Sequence, residues 1–262
     1  MKTEMDEQKE NLVYTCVIYS SKVAGRSKKT LLRMLEIWNR SLRENGNYEG
    51  EVAILTNMDK NLVAECFVEG QKMVILKSEK KYENVSEIRR AKINNYEREI
   101  FKDRKSILFM DLDTVVVGDV KKMFEKGKKL QSAHSNLRLM SKWHCWNIMN
   151  KWDIIKKIVF PSSYMKGFSS SVFSCSGEEW REKMKEWSKL NKNIPKEKTP
   201  LDDQSTLNMA YAEGKIQVKK YQKGIVKHKN WGLKGDVTVL HFPVDKRVEK
   251  MEYYYERSKR PM

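Results

Sequence analysis

Between residues 12 and 110, short apolar runs alternate with helical patterns, and this alternation constrains the fold more than any other feature of the chain. The runs are rich in β-branched and aromatic residues and read as strands at Leu12–Tyr19, Glu51–Thr56, Lys72–Leu76 and Ser106–Met110. After the first run, Leu31, Leu32, Leu35, Trp38 and Leu42 recur at helical spacing, and Asn45-Gly46 supplies a stop. Ser86 is placed to cap a second helix running through Phe101, with Glu87 acidic in its first turn. Repeats of this kind bury a parallel sheet between helices. The expected class is therefore α/β, a Rossmann-like single domain with a mostly parallel central sheet.

Past residue 120 the alternation loosens. Two further strands are expected at Phe168–Ser174 and Val237–Phe242. Lys121–Lys129 is a basic amphipathic stretch, and Ser141–Val159 is rich in Trp. Glu178–Leu190 reads as a helix with Trp180, Met184 and Trp187 on one face. Asn191–Pro200 is polar, with two prolines, and reads as a loop. Composition does not shift sharply anywhere, so one domain is expected over residues 1–262. Its halves are 11–120 and 121–245, and 246–262 is read as a peripheral helix or tail.

The segment with the clearest chemistry is Ser106-Ile-Leu-Phe-Met-Asp-Leu-Asp-Thr-Val-Val-Val-Gly118. A buried strand ends there in two carboxylates at i and i+2, which project to the same side of an extended chain. Asp111 and Asp113 thus converge at the carboxyl end of a strand, where open α/β sheets place their ligands. Two like charges so close raise one pKa unless a cation lies between them. All-oxygen ligands favour Mg²⁺ or Mn²⁺, and such ions clamp phosphate oxygens.

The net charge of +17, from 52 Lys+Arg against 35 Asp+Glu, attracts anions over a Debye length of ~8–10 Å. Nucleotide diphosphates, acidic glycans, anionic membrane and nucleic acid all qualify, as does a plain solvated basic surface. Of the cysteines, Cys16, Cys66, Cys145 and Cys175, none form a CxxC pair, so neither a zinc site nor a disulfide framework is expected. The first ten residues are polar, and no run approaches the ~20 apolar residues of a membrane span. A cytoplasmic location is the expectation.

Three blocks together carry a family resemblance: Ala91-Lys-Ile-Asn-Asn-Tyr, Phe109-Met-Asp-Leu-Asp-Thr-Val-Val-Val and Val120-Lys-Lys-Met-Phe. They resemble the central block of glycogenin and other family 8 glycosyltransferases. Phe168-Ser-Ser-Ser-Val-Phe is similar to that family's F-N-S-G-V-F strand. Asp202-Asp-Gln-Ser-Thr-Leu-Asn is similar to its D-Q-x-x-L-N segment, and Leu240-His-Phe to its late H-F. The anchors span residues 12 to 242. The resemblance implies a GT-A fold, a UDP-sugar donor, Mn²⁺ (or Mg²⁺), a glycan or glycoprotein acceptor and retention of configuration.

Carried over by position, the resemblance makes Asp111, Asp113 and His241 the metal ligands, with Asp111 also reaching the donor ribose. Tyr19 and Ser20 line the nucleoside pocket. Lys92 meets the donor phosphate or sugar, and Leu112, Ser169 and Ser170 border the donor. Asp203 and Gln204 are the catalytic candidates near the anomeric carbon, and Lys246 or Arg247 covers the diphosphate. Two departures stand out. Pro243-Val-Asp-Lys-Arg replaces the family's glycine and Lys-Pro-Trp, and Ser169 replaces the asparagine that touches the sugar.

Each residue also has an ordinary reading. A histidine in an apolar strand is more often a hydrogen-bonded core residue. Asp202 reads equally as the cap of a helix running toward Ala212. Trp143, Trp146 and Trp152 suit either an acceptor cleft or a core. Two rival functions follow from the same sequence. Asp111-Leu-Asp-Thr-Val resembles the signature of haloacid-dehalogenase-type phosphatases, with Asp111 as nucleophile, Asp113 as acid and Asp202-Asp203 as a later metal pair. The basic runs Lys121–Lys129 and Lys219–Lys234 suit a protein that binds RNA or membrane, although no specific nucleic-acid motif is legible.

Overall fold

The computed structural model describes residues 10–23, 27–124, 127–138, 166–192, 202–228, 236–243 and 246–259. Strand β1 (Leu12–Val17), helix α1 (Lys28–Glu44), β2 (Glu51–Thr56), α2 (Lys60–Ala64), β3 (Met73–Lys77), α3 (Val85–Asn94) and β4 (Ser106–Met110) follow one another as the alternation predicts. Ser27 opens α1 by accepting a hydrogen bond from the Thr30 amide. Leu31, Met34, Leu35, Trp38 and Leu42 form the buried stripe of this helix. Each such side chain contributes ~1.5–3 kcal/mol on leaving water. The helix closes where the Asn45 amide returns to the Ser41 carbonyl.

Helix α3 corrects the expected boundaries. Its cap is Asn84, whose Oδ1 accepts from the Glu87 amide at 3.0 Å, and not Ser86. It stops at Asn94, because the Asn95 side chain turns back to the Ala91 carbonyl and competes with the ladder. A separate 3-10 turn, Glu99–Phe101, covers the rest of the stretch. The early stop places Lys92 in the last turn of α3.

The remaining elements are β5 (Thr114–Val116), β6 (Leu130–Arg138), β7 (Lys166–Ser176), α4 (Gly177–Lys192), α5 (Asp202–Ala212), β8 (Val218–Lys220), β9 (Val226–His228), β10 (Val239–His241) and α6 (Arg247–Ser258). The large sheet has the order β3-β2-β1-β4-β7-β6-β8. Its first four strands are parallel, β7 is antiparallel to both β4 and β6, and β8 is parallel to β6. The small sheet has the order β5-β10-β9, and its β5 follows the end of β4 in the chain. This is the expected α/β class with a mostly parallel central sheet. Gly177 joins β7 to α4 at a point where a Cβ would lie 1.8 Å from the Arg104 carbonyl oxygen, so only glycine fits the junction.

Apolar clusters cover both faces of the large sheet. One gathers α1, α6 and the small sheet around Trp38, Leu108, Met110 and Phe242. The other gathers α3, α4 and α5 around Phe109, Phe173, Trp180 and Trp187. The last segment, expected as a peripheral helix or tail, forms a helix with one packed face. Helix α6 buries Met251, Tyr254 and Tyr255, and Tyr255 donates to Glu44 on α1 at 2.6 Å. Its apolar face completes the first cluster, which the charge-rich sequence disguised.

Cys16, Cys66 and Cys175 are free thiols, and burial pushes Cys16 up to about 12 and Cys66 up to about 11. Among the described residues no helix is long and apolar enough to cross a membrane. Cys145 and the tryptophans Trp143, Trp146 and Trp152 lie outside the described residues, as does most of the expected 191–200 loop.

Candidate active site

Strand β4 is apolar and fully buried from Ile107 to Met110, and it delivers the two acidic residues to its carboxyl end. The β4–β7 ladder continues one step beyond the strand, because the Asp111 amide donates to the Ser171 carbonyl at 2.8 Å. The Thr114 hydroxyl donates to the Asp111 carbonyl at 2.7 Å and closes a tight turn. Leu112, between the acids, points into the core and is 8% exposed. Its role is to anchor the turn, while the flanking carboxylates meet Lys92, His241 and Arg247.

The small sheet brings the third member of the group. Strand β10 pairs with β5 in antiparallel register, with His241 opposite Thr114, and the Phe242 amide donates to the Asp113 carbonyl at 2.9 Å. This pairing sets His241 Nε2 3.3 Å from Asp113 Oδ1. Arg247, the first residue of α6, places Nη1 3.5 Å from Asp113 Oδ2. The candidate ligand atoms of Asp111, Asp113 and His241 all lie within 4.8 Å of one another. Two ligands on a cation with bonds of ~2.1 Å lie at most ~4.2 Å apart, so side-chain rotation closes the remaining gap. Two carboxylates and an imidazole form a donor set that a divalent cation fits, and the nitrogen suits Mn²⁺ better than Mg²⁺.

Electrostatics agree with that fit. Desolvation raises the Asp111 carboxyl to about 6, with Asp113 adding to the rise and Lys92 and His241 opposing it. A carboxyl held up in this way is waiting for positive charge.

Behind this group lies a second, drier one. Lys92 is 4% exposed, and its Nζ reaches Asp203 Oδ2 at 2.6 Å, the Ser170 carbonyl at 2.8 Å and Asp111 Oδ1 at 3.2 Å. It also lies 5.0 Å from the centre of the Phe109 ring. Burial works against the charge on Lys92, but Asp111 and Asp203 outweigh it and hold the ammonium above its ordinary range. Burial likewise pushes Asp203 up, yet Lys92, Arg89 and the Ser170 hydroxyl win and hold this carboxyl below the usual range. Asp203 therefore stays ionised at 3% exposure.

The main chain of Asp203 is held as well. Its carbonyl accepts from the Trp187 indole and the Thr206 hydroxyl, both at 3.0 Å. Gln204, its neighbour on α5, directs Nε2 to the Ser135 hydroxyl on β6 at 3.4 Å. The side chain of Asp202 lies outside the described residues.

The remaining expected positions divide. Tyr19 and Ser20 lie just past the carboxyl end of β1, and the Ser20 hydroxyl donates to the Tyr82 carbonyl at 2.6 Å. Ser169 and Ser170 point to opposite faces of β7, and only Ser170 joins the Lys92–Asp203 pair. Lys246 does not join Arg247 at the carboxylates. Its backbone is left-handed at φ 57°, and its ammonium is exposed, 4.0 Å from Glu249.

Two residues that the sequence did not single out brace the site. Asn57 accepts from the Tyr19 amide and donates to its carbonyl, at 2.9 and 2.8 Å. Asn208 does the same to Phe168, at 2.8 and 2.9 Å, and so pins α5 to β7 beside Ser169. Amide clamps of this sort have no local signature, because each partner is distant in the chain. Asn208 falls within the segment that resembles D-Q-x-x-L-N, which was the available hint.

No protein-family model matches the chain, and no curated protein matches its sequence. The structure is similar to the crystal structure of the galactosyltransferase LgtC, solved in complex with donor and acceptor sugar analogs. The TM-score is 0.61 at 12% identity, over 96% of this chain and 97% of that chain. At that identity the likeness speaks for architecture: the chain adopts the GT-A fold, with an Asp-Asp-His group able to hold a metal at the end of its fourth strand.

Proposed function

We propose that this chain is a metal-dependent glycosyltransferase. It moves a sugar from a nucleotide diphosphate donor, a UDP-hexose first, onto a glycan or glycoprotein acceptor with retention of configuration. The observation that carries this reading is the pairing of Asp111, Asp113 and His241 with the buried Lys92–Asp203 pair at one strand end. The structural likeness to a galactosyltransferase supports it.

The bond from the anomeric carbon to the diphosphate breaks, and negative charge grows on the leaving oxygen. A bond to the acceptor oxygen forms, and the acceptor proton passes to the leaving diphosphate. Asp111, Asp113 and His241 would hold a divalent cation, Mn²⁺ before Mg²⁺, which would supply charge neutralisation to that leaving group. Arg247 sits beside Asp113 and offers the same oxygens a second positive contact. Asp203, held ionised, stabilises the cationic sugar through its fixed charge, and Gln204 offers an amide next to it. A carboxyl held below its usual range is a poor proton acceptor, which favours retention over inversion by a general base. Tyr19 and Ser20 flank the nucleoside.

The phosphatase alternative asks Asp203 to share a metal with Asp111. Asp203 is instead neutralised by Lys92, and the third member of the acidic group is His241. Lys219 and Lys220 lie on β8, which pairs with β6, and such basic side chains would support peripheral approach to an acidic glycan or membrane.

The test is a panel of nucleotide sugars with Mn²⁺, read by donor hydrolysis and by thermal shift. Mn²⁺-dependent turnover of at least one UDP-sugar, lost in Asp113→Asn, is expected. Hydrolysis of p-nitrophenyl phosphate with no response to any nucleotide sugar would reverse the assignment.

A further inference from the structure

Three serines run in sequence along β7, and the alternation of an extended chain separates them. Ser169 and Ser171 turn to one face, where their hydroxyl oxygens lie 2.9 Å apart. Ser170 turns to the other, toward Lys92 on α3 and Asp203 on α5. There its hydroxyl donates to Asp203 Oδ2 at 2.7 Å, and its own carbonyl accepts from Lys92 at 2.8 Å. Lys92 closes the ring by reaching the same Oδ2 at 2.6 Å. One residue therefore touches both members of a buried ion pair.

Lys92 and Ser170 fix Asp203 differently. An ammonium is a compact charge with rotatable donors and does not set the orientation of a carboxylate. The terminal torsion of an aspartate is broad and roughly two-fold, so a Lys92 contact alone lets the two oxygens exchange. A hydroxyl on the rigid backbone of a central strand gives direction. Both contacts fall on Oδ2, and no hydrogen bond reaches Oδ1 among the described residues.

We infer that Ser170 is a positioning residue: it pins Oδ2 of Asp203 against Lys92, so that Asp203 meets the donor sugar through Oδ1 in one fixed orientation. Ser170 itself makes no contact with the sugar. The inference rests on the transferase reading and deepens it. It separates Ser170 from Ser169, whose side chain is on the far face of the strand.

The experiment compares the full chain with Ser170→Ala and Ser170→Thr. It uses the UDP-sugar that the wild type turns over, UDP plus Mn²⁺ as the binding probe, and thermal melting as the folding control. Ser170→Ala is expected to lower kcat roughly 10- to 100-fold, the loss typical of a misplaced reacting group. KM for the donor and the affinity for UDP with Mn²⁺ stay within about two-fold, because the nucleotide half of the site is untouched. Ser170→Thr keeps the hydroxyl and restores kcat to within a few-fold. Wild-type kcat in Ser170→Ala, or equal loss of kcat and UDP affinity in it, would overturn the inference. So would a Thr variant that folds and binds UDP but stays as slow as the Ala variant. A wild type that turns over no nucleotide sugar overturns the transferase reading, and this inference with it.

Discussion

The two charge groups at the end of β4 are built to opposite plans. The outer one, Asp111, Asp113, His241 and Arg247, is looser and open at one side: the Asp111 and Arg247 side chains are about a third exposed while Asp113 and His241 are largely buried, and the Asp113 contacts are 3.3 and 3.5 Å long. The inner one, Lys92, Ser170 and Asp203, has contacts of 2.6 to 2.8 Å among its members and side chains almost out of solvent, and Lys92 bridges from it to Asp111 at 3.2 Å. An open group of excess negative charge is unfinished until a cation enters it. A closed, balanced group is already complete and acts as a fixed charge. The difference shows how one site both recruits a ligand and holds a rigid electrostatic frame, since loose contacts exchange partners cheaply and desolvated ones do not.

The largest expected effect tests the closed group. Lys92→Met strands Asp203 as a buried, unpaired carboxylate, and urea denaturation should show a loss of ~3–5 kcal/mol. A variant as stable as the wild type would mean that the inner pair is open to water. Next comes the outer group. His241→Ala should weaken Mn²⁺ binding by about 100-fold, or ~2.7 kcal/mol, in calorimetry. The same variant also removes a buried side chain, so the metal-free protein is expected to lose ~1–2 kcal/mol, less than the Lys92 variant loses.

Asn208→Ala asks whether the inner group depends on its brace. It leaves the buried Phe168 amide without its partner, at a cost of about 2 kcal/mol. It should slow turnover through Asp203 while Mn²⁺ affinity stays put. A fall in Mn²⁺ affinity would merge the two groups into one cooperative unit.

The smallest effect is a pH dependence centred on Asp111. The folded Asp111 carboxyl is raised from its ordinary value near 3.8 to about 6. In the metal-free protein the stability from that bound proton is fully present below the unfolded value and is lost as pH rises through about 6. Metal needs the same carboxylate deprotonated. Mn²⁺ affinity should therefore fall as pH drops below about 6, approaching ten-fold per unit (~1.4 kcal/mol). A flat Mn²⁺ affinity between pH 5 and 7 would show that Asp111 is not a ligand.

Much of this was readable from the order of residues alone. The parallel strands β1 to β4, helix α1, and the placement of Asp111 and Asp113 at a strand end all follow from local periodicity, because each buried strand or helix face declares itself within about ten residues. The boundaries of α3 escaped, since Asn84 caps its start and Asn95 competes with its last turn through side-chain bonds that propensity does not weigh. The packing of α6 escaped too, because its apolar stripe is sparse within a charged segment.

What the chain order could not settle was which distant groups would meet. Resemblance suggested Lys92, Ser170, Asp203 and His241. Their actual partners depend on β7 running antiparallel to β4, on β10 aligning His241 with Thr114, and on Asn208 tying α5 to Phe168. Only that packing separates Ser170 from Ser169 and turns Arg247, not Lys246, toward Asp113. Local sequence decides backbone form through sterics and burial. The meeting of charges from five separate elements is decided by how those elements pack, and no short stretch of residues encodes it.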